Sequence, residues 1–514
     1  MMLSRASRAL SRQRRPLSVA ASSAEGGERP GYKVVNAPGV ADVVDIPASV
    51  AGGPSNDCGV VSPRHWEESW SEAEIQEASM ENGMFTWGPS DPARAGAPLI
   101  VRGEGVYVYD KAGKQYLDWT SQAVCANLGY SMPEAVTKGV HEQMATLPFA
   151  YSGLAMTEVR ARLSALLGEL LPGDLNGFIF PSSGAEANEG AIRMARRFTG
   201  KHKILTRYRS YHGGTATTMA ATGDFRRHFA EQGTSGFVKI MDPNPFGFSW
   251  GDDEAEGCAR ALGALHEQIL MEGPETIAAM LLEAVPGAAG VLLPPKGFME
   301  GAQALCKKYG ILLISDEVMT GFGRTGKMFG FQHYDVQPDI VTFAKGISAS
   351  YVPLSGIAVS KEIQDYFRTT PLGYGATYQA HPVAMACGYE VVKHTIDTDV
   401  VGHVKKLEPV LKDLMQTLAD DHDCVRQVRS VGLFGAADLV NTTGPDAGNR
   451  VSPLQGGGPS AEKIATFKQA MLDEGLISLF RNCMIHVAPP LVISEDELRD
   501  GFDRMHRALK KADF

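Results

Sequence analysis

Residues Ile311–Gly346 read ILLISDEVMTGFGRTGKMFGFQHYDVQPDIVTFAKG. Two short apolar runs sit in this stretch, ILLIS and DIVTFA, each the length of a buried strand and each ending at a charge. The first delivers Asp316 and Glu317; the second delivers Lys345, followed at once by Gly346. In parallel α/β sheets ligands bind beyond the carboxyl ends of the strands. An acid and a lysine at two such ends can converge on one ligand. Successive side chains of an extended chain alternate sides, so Asp316 and Val318 share one side and Glu317 points away, toward a structural role.

The flanking sequence supports such a sheet. From about Tyr130 to Pro382 strand-like segments (GFIF, KILTRY, FVKIM, IAAMLLE, ILLIS, DIVTFA, SGIAVS) alternate with helical ones such as ALHEQILMEG and EGAQALCKKYG. This predicts an α/β domain with a mostly parallel sheet. Upstream, SWSEAEIQEASMENG predicts a short amphipathic helix stopped by Gly83. VRGEGVYVYDKAGKQYLDW predicts an antiparallel hairpin around Asp-Lys-Ala-Gly. Downstream the chain is helix-rich, then strand-like in VGLFGAADLV; a Gly/Pro/Ser-rich loop follows at 441–460, expected to be exposed and mobile, and two more helices. The expected organisation is a leader at 1–24, a linker or arm at 25–63, and a large domain at 130–385. A smaller α+β domain is expected from both chain ends, 64–129 and 386–514. There is no internal repeat.

Composition narrows the function. The 514 residues carry a formal charge of −10. The first 24 hold five arginines and no acid, so the remainder carries −15. A body that acidic is a poor partner for nucleic acid, whose phosphates need clustered Lys and Arg. Seven cysteines lie scattered without a paired spacing; this argues against disulfides or a metal site and suits a reducing compartment. The leader MMLSRASRALSRQRRPLSVAASS is Arg- and Ser-rich with interspersed leucines, the composition of an organellar transit peptide, here expected to be mitochondrial (matrix), with another organelle or the cytoplasm as the alternative. No apolar run is long enough to span a membrane, and a soluble protein is expected.

A carboxylate and a lysine so placed suit pyridoxal 5'-phosphate (PLP): the lysine can bond to its aldehyde and the acid can pair with its ring nitrogen. The helix expected after GFIF has Ala187, Ala191, Ala195 and Phe198 on one face, beside Met194, and starts near Ser183–Gly184. Its unpaired N–H groups can hold a phosphate, although a serine cap without a ligand is the commoner reading of such a motif alone.

From about Met84 to Leu491 these motifs together resemble the class III (ω-amino acid) aminotransferases, PLP enzymes of fold type I. The look of TSQAVCANLGY and QPDIVTFAKG is closest to the ω-amino acid (taurine)–pyruvate branch. The resemblance implies roles residue by residue. SGAEAN is similar to the family's phosphate-binding turn, with Ser183, Gly184 and Ala185 as contacts, although relatives often carry Ser at the place of Ala185. Tyr211–His212–Gly213 resembles a YHG motif whose aromatic ring stacks on the cofactor, and Val318 would pack on the other face. Glu283 would stand near the cofactor's phenolic oxygen and Asp316. Lys345 would hold the cofactor and then shuttle a proton. Thr377, in GATYQAHP, would reach the phosphate of a neighbouring subunit, which implies a homodimer, or a tetramer built on it. Trp87 and Tyr151 would line the substrate pocket, with ordinary packing as the bland alternative. Arg481 lies near a mobile arginine of several relatives.

Gly321-Phe-Gly323-Arg-Thr-Gly326 satisfies the G-x-G-x-x-G pattern, but Gly330 and Pro338 follow and no helix reads after it, so a dinucleotide site is not expected. The expected activity is ping-pong transfer of an amino group from an ω-amino acid or related amine to a keto acid such as pyruvate. The alternatives are an α-amino acid, ornithine or alanine–glyoxylate type aminotransferase, a decarboxylase, racemase or aminomutase on the same scaffold, or a nucleotide-binding or non-catalytic relative.

Overall fold

The structure, a computed structural model, describes residues 69–84, 86–87, 97–229, 233–244, 249–443, 461–481 and 484–512. The expected leader, the arm and most of the loop 441–460 lie outside the described residues. The chain forms two compact units, 1–97 and 98–514. In the first, the helix Glu72–Asn82 is capped by Ser71, whose hydroxyl accepts the Glu74 N–H while Glu74 accepts the Ser71 N–H at 2.7 Å, and it stops at Gly83. None of its residues is fully buried, and Ile75 and Ala78 are partly so.

The strands of the second unit are β1 (Ile100–Glu104), β2 (Tyr107–Asp110), β3 (Gln115–Asp118), β4 (Gly177–Ile179), β5 (Lys203–Arg207), β6 (Phe237–Ile240), β7 (Ile277–Glu283), β8 (Leu312–Asp316), β9 (Ile340–Phe343), β10 (Gly356–Val359), β11 (Val425–Val431), β12 (Phe434–Leu439), β13 (Leu476–Ile477), β14 (Phe480–Arg481) and β15 (Met484–Val487). Seven of them form the central sheet in the order β4-β10-β9-β8-β7-β5-β6. β10 runs antiparallel to both of its neighbours; β5 to β9 run parallel to one another. All seven residues of β7 are buried. Ala279 and Leu281 pack toward the helix Gly184–Thr199, and Met280 and Leu282 pack toward the helices Glu254–Glu272 and Phe298–Tyr309. Burial on both faces is why IAAMLLE shows no alternation.

Two smaller sheets flank this one. β1, β2 and β3 form an antiparallel meander, and β13, from late in the chain, adds in parallel to β3. The expected hairpin is therefore extended by one strand on the β1 side. β11, β12, β15 and β14 form the third sheet. VGLFGAADLV is not one strand: Gly432, at φ 57, breaks it into the end of β11 and the whole of β12. A Cβ there would lie 2.4 Å from the Thr325 carbonyl carbon, so the turn is pressed against the GFGRTG loop. One hydrophobic cluster joins Val106, Leu117 and Trp119 to Leu407, Leu411, Phe502 and Met505, so the two ends of the second unit share a core.

Gly501 makes that junction. It lies in the helix Glu495–Ala512, and a Cβ on it would come within 2.0 Å of Trp119 Cζ3. Trp119 is fully buried, its ring edge-on to Phe502 at 5.2 Å. Gly501→Ala should lower stability by about 1–3 kcal/mol through overpacking, against the roughly 1 kcal/mol that alanine normally adds in a helix. Gly263→Ala, in a helix where a Cβ meets nothing within 4 Å, should raise stability by up to about 1 kcal/mol. Thermal unfolding of the two variants tests for these opposite signs.

Candidate active site

Strand register brings the first acids together. Glu283 of β7 is aligned with Asp316 of β8, and Asp316 with Thr342 of β9. Aligned residues of adjacent strands lie about 4.8 Å apart and face the same side of the sheet. The helix Gly184–Thr199 covers that side. Its Asn188 donates from Nδ2 to Asp316 Oδ2 at 2.8 Å and to the His212 carbonyl at 2.9 Å, and accepts from the Thr342 hydroxyl at 2.7 Å. Those partners fix the amide's orientation. His212 Nδ1 lies 2.7 Å from Asp316 Oδ2, so the carboxylate assigns the proton to Nδ1. His212 Nε2 is buried with no hydrogen-bond partner among the described residues. Asp316 Oδ1 accepts the Val318 N–H at 3.1 Å.

Glu283 accepts the N–H of Tyr211 at 3.0 Å and of Gly287 at 3.3 Å. Burial pushes its carboxyl up to about 7; the His212 imidazole opposes the rise and the Asp316 carboxylate adds to it. The Tyr211 ring is covered on one face by the Arg226 guanidinium, 3.7 Å from its centroid. Arg226 is in turn held by Asp224 through Nε at 2.9 Å. Glu317 faces elsewhere: Ser315, Thr320 and the N–H groups of Gly330 and Phe331 all donate to it. That set of four donors is a structural anchor for the loop behind β8.

Lys345 lies just beyond β9, half-buried, at φ 49. A lysine rarely adopts this left-handed backbone, and such strain collects at functional sites. A cavity of about 310 Å³ opens beside it, lined by Ser183, Gly184, Lys345, Ser348, Ser350 and Pro353 among others. Ser183 caps the helix: its hydroxyl accepts the Glu186 N–H at 3.2 Å, and Glu186 accepts the N–H groups of Ser182 and Ser183 at 2.9 and 3.0 Å. The first helical bond runs from Ala187 N to the Ser183 carbonyl. The N–H groups of Gly184 and Ala185 precede it, and helix starts of this kind bind anions. Gly184 is needed there, because a Cβ would lie 2.8 Å from Val318 Cγ1.

These residues fit PLP. A carboxylate accepts about four hydrogen bonds; Asp316 uses three, which leaves room for a ring N–H. The cavity is lined by Lys345 and by the start of the helix at Ser183 and Gly184. Asp316 is not on the wall of that cavity; it is joined to it through Val318, which rests on Gly184. Among the described residues no group of three or more His, Cys, Asp or Glu is arranged to hold a metal ion, and no helix is long and apolar enough to cross a membrane.

The other expected residues are not drawn into this group. Thr377 is exposed in a turn, although Tyr374, three residues earlier, donates to the Glu186 carbonyl at 2.6 Å. Tyr151 is exposed, with its ring over Gly153. Trp87 is exposed within the first unit, at φ 71. The backbone of Arg481 lies in β14, and its side chain is outside the described residues. Sequence reasoning missed Asn188 and Thr342. Each left a signal: Asn188 is the one amide on an otherwise Ala-rich buried helix face, and Thr342 is the one hydroxyl inside DIVTFA.

A carboxyl whose folded value is raised above the unfolded one costs stability as pH rises from about 4.5 through about 7. Replacing it removes that cost. The stability of Glu283→Gln relative to the unmodified protein should therefore rise between about pH 5 and about pH 8, by on the order of 1–3 kcal/mol. Thermal unfolding across that range measures the difference; a constant difference would contradict the buried, raised carboxyl.

Comparison with known proteins agrees with this chemistry. The family described as Aminotransferase class-III matches residues 92–509. Gamma-aminobutyrate transaminase 1, mitochondrial, of Oryza sativa subsp. japonica is 35% identical over 452 residues, covering 84% of this chain and 86% of that protein. Among solved structures, the taurine:2-oxoglutarate aminotransferase from Bifidobacterium kashiwanohense, in complex with PLP and glutamate, is 38% identical with a TM-score of 0.81, covering 87% of this chain and 99% of that one. An (S)-enantioselective omega-transaminase from Thermomicrobium roseum is 34% identical with a TM-score of 0.79, covering 87% and 100%. An acid-terminated strand pair, a lysine beyond the next strand and a match over most of the chain lead to one assignment: this protein belongs to the class III aminotransferases, PLP-dependent transaminases of fold type I.

Proposed function

We propose that this enzyme takes the amino group of an ω-amino acid or related amine, of the taurine, β-alanine or 4-aminobutyrate type, and passes it to a keto acid such as pyruvate in a ping-pong cycle. The observation that carries the reading is the Asp316 carboxylate, fixed by Asn188, His212 and the Val318 N–H, with Lys345 just beyond the neighbouring strand. The substrate class is supported by relatives named for 4-aminobutyrate and taurine.

When bound, PLP supplies an electron-poor ring that draws electrons from the bond between Cα and hydrogen of the amine. The protein's part is then positional. Asp316 offers its remaining acceptor position to the ring N–H and keeps it charged. His212 and Asn188 hold the carboxylate still. The N–H groups of Gly184 and Ala185 would hold the phosphate, and Tyr211 and Val318 would flank the ring. Lys345 would hold the cofactor's aldehyde carbon and, when free, would carry a proton to or from the carbon that bears the donor's amine. Glu283 stands beside Asp316 as a supporting acid.

The active unit in this reading is a homodimer, with Thr377 reaching the partner's phosphate. Exposed apolar side chains support it: Tyr378, beside Thr377, meets Phe149 at 6.3 Å, and, in the segment after Phe149, Leu154 and Met156 are 88% and 98% exposed in the single chain. Apolar exposure of that order marks a contact surface. The large domain would be 130–385 and the smaller one 64–129 with 386–514. The Arg-rich, acid-free leader and the mitochondrial relatives support import into the mitochondrial matrix.

In a single turnover, the loaded enzyme mixed with taurine, β-alanine or 4-aminobutyrate should lose its visible absorbance and release one carbonyl product per site. Release of carbon dioxide, or recovery of the absorbance without a carbonyl product, would overturn the transamination reading. Borohydride should fix the cofactor to Lys345, and Lys345→Ala should lose at least the roughly 10²–10⁴-fold that a positioned proton carrier contributes. A Leu154→Glu, Met156→Glu double variant should sediment as a monomer and bind PLP more weakly; an unchanged mass would remove the dimer proposal.

A further inference from the structure

Arg324, the arginine of the GFGRTG loop, is fully buried, yet among the described residues no acid makes a hydrogen bond with it. Its guanidinium donates to the carbonyls of Leu433 at 2.9 Å and Pro489 at 2.6 Å, to the Ser121 hydroxyl at 3.0 Å, and to Asn127 Oδ1 at 3.4 Å. One side chain thus ties together three segments remote in sequence. A buried guanidinium is costly, and its planar fork is the feature a lysine could not reproduce.

Two of those ties hold a strained segment. Ser121, Gln122 and Val124 all have left-handed backbones, at φ 46, 57 and 58. Asp118 accepts the Thr120 N–H at 3.2 Å and the Gln122 N–H at 2.9 Å, which secures the start of the segment; Arg324 secures Ser121 and Asn127. The Ser121 hydroxyl itself donates to the Ala488 carbonyl at 2.6 Å. Non-glycine residues persist in this conformation only when their surroundings over-determine it.

The segment is braced against the lysine. A Cβ on Gly346 would lie 2.6 Å from Asn127 Nδ2, 3.0 Å from Phe322 Cβ and 3.1 Å from the Gly321 carbonyl oxygen. The residue after Lys345 is therefore clamped between Asn127 and the loop that carries Arg324. Lys345 itself is left-handed, as are Ala349 and Ser350. We infer that Arg324 is a positioning residue of the reaction: it clamps the 121–127 segment onto Gly346 and thereby fixes where the Lys345 amine comes to rest. This rests on Lys345 being the lysine that carries the cofactor.

Two variants test it in the PLP-loaded enzyme. Arg324→Lys keeps the charge and loses the fork; Asn127→Ala leaves Arg324 in place and removes the amide against Gly346. Each should lower kcat about 10- to 100-fold, as small misplacements of a reacting group do, while KM for the donor stays within about threefold. Each should also shift the pH midpoint of the bound cofactor's visible absorbance by about half a unit or more, because the environment of the Lys345 amine changes. Lower thermal stability alone, with kcat per folded molecule and midpoint both unchanged, would overturn the inference and leave Arg324 a structural tie. Should Arg324→Lys not fold, Asn127→Ala decides by the same criteria. Borohydride labelling of the unmodified enzyme separates the two failures: label on another lysine defeats the reading of Lys345, whereas label on Lys345 with unaffected variants defeats only the role of Arg324.

Discussion

A carboxylate that is only 4% exposed cannot stand in a protein interior unless its charge is met. At Asp316 it is met by an amide, an imidazole and a backbone N–H. Each donor depends on a different part of the chain. The Val318 N–H comes from the turn after β8, Asn188 from the helix lying over the sheet, and the His212 imidazole from the loop after β5. The His212 N–H is anchored in its turn by Thr222. The parallel register that aligns Glu283, Asp316 and Thr342 is what allows one helix residue to serve them together. The sheet order, the helix above it and the loops beyond the strand ends are all needed to keep this one charge in place.

The same arrangement separates two buried acids that are neighbours in sequence. Glu317 has four donors of its own and anchors the loop that returns through Gly330 and Phe331. Asp316 has three, and is left with room for one more. That difference in unmet capacity, set by alternation along a strand, commits one acid to the scaffold and leaves the other with an open acceptor position. Glu283, beside Asp316 with fewer donors, responds to burial by holding its proton more tightly. A Glu283 that holds its proton more tightly places less negative charge beside Asp316.

Much of this was legible in the sequence because strands buried on both faces end abruptly at charges. ILLIS and DIVTFA announced Asp316 and Lys345, and the Ala-rich face of the following helix announced its start at Ser183. Long-range polar ties were less legible. Asn188 acts through partners 24, 128 and 154 residues away in sequence, and no local pattern encodes such pairings. Arg324 lies inside a G-x-G-x-x-G match that reads as a turn-rich loop rather than a dinucleotide site, and no local pattern gives its buried acceptors. VGLFGAADLV read as one strand because its composition is uniformly apolar; the break at Gly432 is imposed by the loop packed against it. Thr377, Trp87, Tyr151 and Arg481 rest on resemblance alone; Thr377, Trp87 and Tyr151 are exposed, and none of these three joins the Asp316 network.

The account turns on Asp316 keeping the cofactor's ring nitrogen protonated. The most direct measurement is the ¹⁵N resonance of PLP labelled at that nitrogen, bound to the unmodified enzyme and to Asp316→Asn. The account predicts a protonated ring nitrogen in the first and a loss of that proton in the second, at the same pH. The same ring protonation in both proteins would contradict it.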